Sequence, residues 1–270
     1  MERLREIVAK TGAGQWGACP YAQVLPLLPV RSRSRVPADA QSVIVFLFGY
    51  YTGEYPNRNV SRYAIPDDYH TIIREILENC AEEFKKKFNP YIFIPFVDSS
   101  PVAEVRAAYA CGLGDIGLNG QLLSPVYGSY CFIGEIVTNM PLVFSDREPP
   151  KLCTGCKNCI RACPTGALGE DGFQKERCRS QITQKKQPLT EWEREQVRMG
   201  GFVWGCDRCT DACPLNRRAR PSSLAAFYQN PAPVVTREQA PRLCGEKAYG
   251  WRGENLLLRN LDIISGKDMV

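Results

Sequence analysis

Residues 153–164, CTGCKNCIRACP, and residues 204–216, WGCDRCTDACPLN, carry seven of the thirteen cysteines in this 270-residue chain. In the first stretch Cys153, Cys156, Cys159 and Cys163 precede Pro164 with the spacing C-x2-C-x2-C-x3-C-P. In the second, Cys206, Cys209 and Cys213 precede Pro214 with the end of the same pattern. Such a run wraps three thiolates around one four-iron four-sulfur cubane, while the fourth, just before proline, reaches the neighbouring cubane. Two cubanes ask for eight thiolates, yet Val203 stands where a second full run would place its first cysteine. Cys153, Cys156 and Cys159 with Cys213 complete one set, leaving Cys163, Cys206 and Cys209 in need of a fourth. Cys178, alone in the insert between the motifs, is the best candidate. Zinc is the competing reading, because two C-x2-C pairs would hold it, but zinc makes no use of the C-x3-C-P extension that ends both motifs.

Thirty-four basic against twenty-nine acidic residues leave a net charge of +5, too mild to demand nucleic acid and compatible with a local basic patch. The N-terminal MERLREIVAKTGAGQWG has no long apolar run after its charges, and nowhere do about 18 apolar residues follow one another, so neither export nor membrane spanning is expected. Clustered cysteines in a chain without a secretory signal point to metal chemistry in the reducing cytoplasm rather than to disulfides. Cys19, Cys80, Cys111, Cys131 and Cys244 sit among apolar neighbours and read as small buried hydrophobes.

Ahead of the cysteine-rich segment the sequence reads as an α/β domain. It has an amphipathic helix near residues 1–11, a buried strand SVIVFLFGYY at 42–51, and a helix opened by Pro66, Asp67 and Asp68. Ile73, Leu77, Cys80, Phe84 and Phe88 form the core face of that helix, and Lys85, Lys86 and Lys87 its solvated last turn. A strand YIFIPFV at 91–97 delivers Asp98 to a strand end, with Ser100 expected as N-cap and Pro101 as first residue of the next helix. A glycine-rich stretch, residues 111–129, then leads to a third strand, YCFIGEIVT at 130–138, and the linker SDREPP.

The stretches SRYAIPDDYH, VDSSPVAEVRAAYACGLGDIG and YGSYCFIGEIVT, followed by both cysteine motifs and a lone cysteine in RCRSQIT, resemble the epoxyqueuosine reductase family. The likeness runs in order through most of residues 40–216, with a fainter echo in GWRGENLLLRN at 250–260. It implies a nitroreductase-like corrinoid-binding domain at 1–148, a bacterial-ferredoxin-like double-cluster domain at 149–217 and a short helical extension at 218–270. It further implies cobalamin and two 4Fe-4S clusters as cofactors, and assigns Cys178 to the second cluster. The activity it implies is reduction of epoxyqueuosine to queuosine in tRNA. Asp98 aligns with the family's proton donor, and a carboxyl buried against a macrocycle would be expected to hold its proton near neutral pH. Glycines would let the backbone approach a flat ring. The expected corrinoid contacts are Tyr69, His70, Asp98, Gly114, Asn119, Gly120, Ser124, Gly128 and Ser129. His70, the one histidine, lies on a first helical turn and reads as a hydrogen-bonded residue lining the pocket rather than as a cobalt ligand.

The chain departs from the family at Asp115, where an aromatic is usual, and at Leu118, where a cation is usual. This glycine loop is closer to that of corrinoid reductive dehalogenases. Family members commonly continue beyond LLRNLDII into helical repeats that help hold tRNA, so part of the RNA surface is expected to lie outside this sequence; Arg217, Arg218, Arg220, Arg252 and Arg259 remain as phosphate contacts or as ordinary solvated arginines. The reading that results is a corrinoid-dependent reductase fed by an external ferredoxin, flavodoxin or similar donor. Two others compete with it: a corrinoid reductase of a small organic molecule, and an iron–sulfur electron carrier without corrinoid.

Overall fold

The computed structural model describes residues 2–144, 148–169 and 172–267, so Ser145, Asp146 and Arg147 of the expected linker lie outside the described residues. In chain order the first half contains α1 (Glu2–Ala9), β1 (Gln15–Pro20), β2 (Ser42–Gly49), α2 (Tyr69–Lys87), β3 (Phe93–Val97), α3 (Glu104–Ala110), β4 (Asp115–Ile116), β5 (Leu122–Leu123) and β6 (Cys131–Thr138). Four strands form one sheet in the order β1-β2-β6-β3, and every ladder in it is antiparallel. The expected mixture of helices and strands is present.

β2 is buried at all its positions because both faces of the sheet are covered. Ile44, Phe46 and Phe48 point into a core shared with Leu4 and Ile7 of α1 and Ile73, Leu77 and Phe84 of α2. Val43, Val45 and Leu47 point the other way, onto Ala107 and Ala108 of α3, as the two-residue period of a strand requires. Asp68 caps α2 by accepting the His70 N–H at 3.0 Å, and the three lysines occupy its last turn.

The connection from β3 to α3 differs from the expectation. Asp98 adopts φ +59°, which turns the chain immediately after the strand. Ser100 then accepts the N–H of Val102 at 3.1 Å, a serine turn rather than a helix cap, and α3 starts only at Glu104. Ser100 is therefore not the N-cap and Pro101 not the first helical residue. Beyond α3 the glycine stretch forms the β4–β5 hairpin, where a Cβ on Gly114 would sit 2.5 Å from the Leu123 carbonyl oxygen.

The second half contains α4 (Asn158–Arg161), α5 (Arg179–Thr183), α6 (Glu191–Gly200), α7 (Arg208–Asp211), α8 (Ala240–Glu246) and α9 (Glu254–Ser265). α4 and α7 are single turns, one within each cysteine motif, and they pack together. Thr190 and Glu193 close a capping box on α6. Residues after the second motif serve both halves. Leu224 and Phe227 enter the core of α1 and α2, whereas α8 and α9 bury Val60, Ile65, Val203 and Trp204. No helix among the described residues is long and apolar enough to cross a membrane.

Candidate functional site

The seven motif cysteines and Cys178 separate into two groups around two cavities. Cys153, Cys156, Cys159 and Cys213 line one of about 540 Å³, and Cys163, Cys178, Cys206 and Cys209 line another of about 360 Å³. Cys178 arrives from the turn preceding α5, 28 residues before Cys206, so only the tertiary fold brings it to its neighbours. Among the described residues no three His, Cys, Asp or Glu side chains converge on a single-ion position; the sulfurs ring larger spaces instead. Burial, reinforced by the neighbouring Cys206 and Cys178, pushes the Cys209 thiol up to about 12. Four thiolates around one cavity need a shared positive centre, which the iron atoms of a cubane supply.

Asn119 lines both cavities. Its Nδ2 is buried without a hydrogen-bond partner among the described residues, and the amide favours the thiolate of Cys209. Asp115, on the same hairpin, has a different task. Its Oδ2 accepts the N–H groups of Leu152 and Cys153, each at 2.8 Å, and its Oδ1 accepts that of Ile116 at 2.8 Å. The carboxylate thus ties the hairpin to the start of the first cysteine motif and occupies two amides that could otherwise donate to sulfur. Its negative charge, together with the amides it withholds from sulfur, would hold down the potential of a cluster bound at Cys153. Asp115→Asn is expected to move the potential of the cluster at Cys153 to a more positive value and leave the other unchanged. Redox titration followed by electron paramagnetic resonance would measure it; equal shifts in both clusters, or none, would refute the assignment.

Away from the cysteines, a polar and aromatic patch surrounds Asp98. His70 donates from Nδ1 to Asp68 at 2.6 Å and places Nε2 3.4 Å from the Asp98 carboxylate, while the Tyr69 hydroxyl donates to Asp98 at 3.3 Å. Tyr69 stacks on Phe132 at 3.9 Å and on His70 at 4.0 Å. Burial opposes charge on the imidazole, but its two carboxylate partners outweigh burial and lift His70 to about 9. The hydrogen bond from His70 outweighs desolvation at Asp98 and holds that carboxyl below its ordinary range. Because the two groups are paired, the proton sits on His70 and Asp98 is ionised, whereas the expected neutral carboxyl is one buried against a macrocycle. Both imidazole nitrogens thus face carboxylates.

Tyr63 links this patch to the second cavity. Its ring meets Tyr69 edge-on at 6.5 Å, its hydroxyl accepts from the Trp204 indole at 2.7 Å, and it lines the cavity together with Tyr50. Asn119 and Gly120 border the same space, and beside Gly120 nothing lies within 4 Å of a would-be Cβ.

Other expected contacts are committed elsewhere. Gly114 is closed in by the hairpin. Ser124 accepts the N–H groups of Val126 and Tyr127 and donates to Gln15, an internal turn on the wall of the first cavity. Gly128 and Ser129 form a joint with the cluster segment. The Ser129 N–H donates to Asn216 Oδ1 at 2.7 Å, and a Cβ on Gly128 would lie 2.0 Å from that same oxygen. Sequence reasoning missed the residues that fasten the second motif. Asp207 accepts from Ser61 and from the Arg62 N–H, and Asp211 pairs with Arg58 at 2.6 Å and Arg62 at 3.0 Å. The signal that could have found them is an acidic residue directly after Cys206 and another directly after Thr210, facing a basic NRNVSR stretch more than 140 residues earlier.

Residues 152–216 match the family described as 4Fe-4S double cluster binding domain, so a helix–strand domain is joined here to a double-cluster iron–sulfur segment. Residues 32–99 match the family described as epoxyqueuosine reductase QueG, DUF1730. An epoxyqueuosine reductase of Gloeobacter violaceus is 32% identical over 251 residues, covering 88% of this chain and 78% of that protein. The chain belongs to the epoxyqueuosine reductase family. An epoxyqueuosine reductase of Pseudomonas aeruginosa is 39% identical over 169 residues, covering 62% of this chain and 46% of the relative. The chain thus spans about half of that relative's length, and between 61% and 64% of three others. In fold it is similar to an epoxyqueuosine reductase crystallised with an epoxyqueuosine-modified tRNA-Tyr stem loop, with a TM-score of 0.81 at 24% identity over 97% of this chain and 80% of that one. It is also similar to the catabolic reductive dehalogenase NpRdhA, with a TM-score of 0.57 at 18% identity over 98% of this chain and 36% of that one.

Proposed function

We propose that the chain is a cytoplasmic, corrinoid-dependent iron–sulfur reductase that converts epoxyqueuosine to queuosine in tRNA. The observation that carries this reading is the continuity from the Asp98 patch through Tyr69 and Tyr63 to the cavity ringed by Cys163, Cys178, Cys206 and Cys209. In it, residues 1–148 hold the corrinoid, residues 149–217 the two clusters, and residues 218–270 buttress both. Cys153, Cys156, Cys159 and Cys213 ligate one cluster, and Cys163, Cys178, Cys206 and Cys209 the other. Tyr69 and Asp98 on one side and Asn119 and Gly120 on the other would hold the corrinoid, whose cobalt, once reduced, supplies electrons to a carbon–oxygen bond.

Removing an epoxide oxygen as water takes two electrons and two protons. The electrons come from an external ferredoxin- or flavodoxin-type donor through the clusters. Asp98 and His70 manage a proton. When the half-exposed Asp98 is covered, loss of water disfavours the ion pair and moves the His70 proton onto the carboxyl, where it can be given to the departing oxygen. Tyr69 orients the carboxyl through its 3.3 Å hydrogen bond.

The test is anaerobic reconstitution with cobalamin, followed by assay on an epoxyqueuosine-containing tRNA stem loop. Retained cobalt and formation of queuosine are expected. Intact clusters with no retained cobalt and no change in the corrinoid spectrum would leave an iron–sulfur carrier. Retained cobalt with no queuosine would leave a corrinoid reductase of another, small substrate.

A further inference from the structure

The two cavities differ in their outlook. The first carries the exposed Cys156, and its wall includes Lys157, Arg217 and Arg218, all three exposed, with no carboxylate. Arg217 and Arg218 belong to the turn Pro214–Arg218, which begins directly after Cys213 and so fixes both charges to a ligand-bearing loop. Leu118 opens onto the same cavity, 48% exposed, and Ile116 of the same hairpin is 41% exposed. Asp115, which could have neutralised the cations, turns its carboxylate to the amides of Leu152 and Cys153. The second cavity instead faces Tyr50 and Tyr63 of the N-terminal domain.

We infer that the face formed by Lys157, Arg217, Arg218 and Leu118 is the docking surface for a small acidic protein that carries one electron at a time. This inference rests on the reading that Cys153, Cys156, Cys159 and Cys213 hold a cluster. A one-electron donor needs close approach to a ligand sulfur, and Cys156 is the exposed member of that set. An exposed leucine beside like-charged side chains suits a protein partner, which can cover the apolar surface as well as the charges. The cations attract an acidic partner and speed its encounter. Phosphate of an RNA would also be drawn to three cations, but it gains nothing from Leu118 and Ile116.

The experiment uses the full chain with both clusters reconstituted and photoreduced flavodoxin as donor, with stopped-flow rates of cluster reduction read at low and high salt. Arg217→Glu/Arg218→Glu is expected to slow reduction by about 10-fold or more at low ionic strength, the difference vanishing at high salt where the charges are screened. Reduction by dithionite is expected to match the wild type. Should the double variant lose iron, Leu118→Glu, which lies off the ligand loop, decides, with slowing expected in the same assay. Flavodoxin rates equal to the wild type overturn the inference, as does weaker binding of the tRNA stem loop with those rates unchanged, because the face would then serve RNA. About four iron per wild-type chain, rather than about eight, would instead show the cluster reading itself to be wrong before any kinetics are run.

Discussion

Replacing Cys178 by alanine is expected to remove one cluster and spare the other, lowering iron from about eight to about four per chain after anaerobic reconstitution. Cys178 shares its cavity with Cys163, Cys206 and Cys209 and with no cysteine of the other set. Three thiolates leave one iron of a cubane without a protein ligand, which weakens the hold on the whole cluster and favours its loss during purification. The other cavity keeps all four of its sulfurs, so its cluster should keep its spectrum and potential. The fold should tolerate the change, because the turn before α5 is held by backbone contacts, including the Cys178 N–H to the Lys175 carbonyl at 3.0 Å. Iron and sulfide analysis with electron paramagnetic resonance is the measurement. Full occupancy with unchanged signals would show that Cys178 is no ligand.

The second large effect concerns Asp98. Asparagine keeps its shape but cannot pass on a proton, so Asp98→Asn is expected to cut turnover by roughly 100- to 10,000-fold while cluster content and cobalamin binding persist. A structural readout accompanies it, because His70 is the only histidine in the chain and gives a single imidazole signal in nuclear magnetic resonance. In the wild type that signal should titrate at about 9. In the variant it should move back toward its ordinary value, since one of two carboxylate partners has lost its charge while Asp68 keeps its own. His70 is raised in the folded chain, so its contribution to stability is complete below its ordinary value of 6.5 and fades as pH rises through about 9. Proton supply should fade over the same upper range. Wild-type turnover in the variant would eliminate the acid role. An unshifted imidazole signal would show that His70 and Asp98 are not paired.

Much of this was legible in sequence wherever the determining contacts are local. The cysteine spacings mark the double-cluster segment within a few residues at each motif, and β2 and the core face of α2 follow from runs of apolar side chains at the period of their element. The start of α3 was not legible, because the turn depends on the positive φ of Asp98, which a Ser-Pro pair does not announce. The joint at Ser129 was not legible either, because its partner Asn216 is 87 residues further on. The pairing of Asp98 is hidden for the same reason: its imidazole partner lies 28 residues earlier and is brought over by the docking of α2 beside β3.

In the second motif, fastening residues alternate with sulfurs: Cys206, Asp207, Cys209, Asp211, Cys213, Asn216. Asp207, Asp211 and Asn216 grip Ser61, Arg58, Arg62 and Ser129 through ordinary hydrogen bonds and ion pairs that involve no iron. The peptide that receives a cluster is thereby shaped by the rest of the chain, much as a mould precedes its casting. Biogenesis of the holoprotein then becomes a question of order. The cavity at Cys156 can be filled from outside after the chain has closed. The other, beside Tyr50 and Tyr63, would receive its iron and sulfide within a frame whose shape those grips have already set.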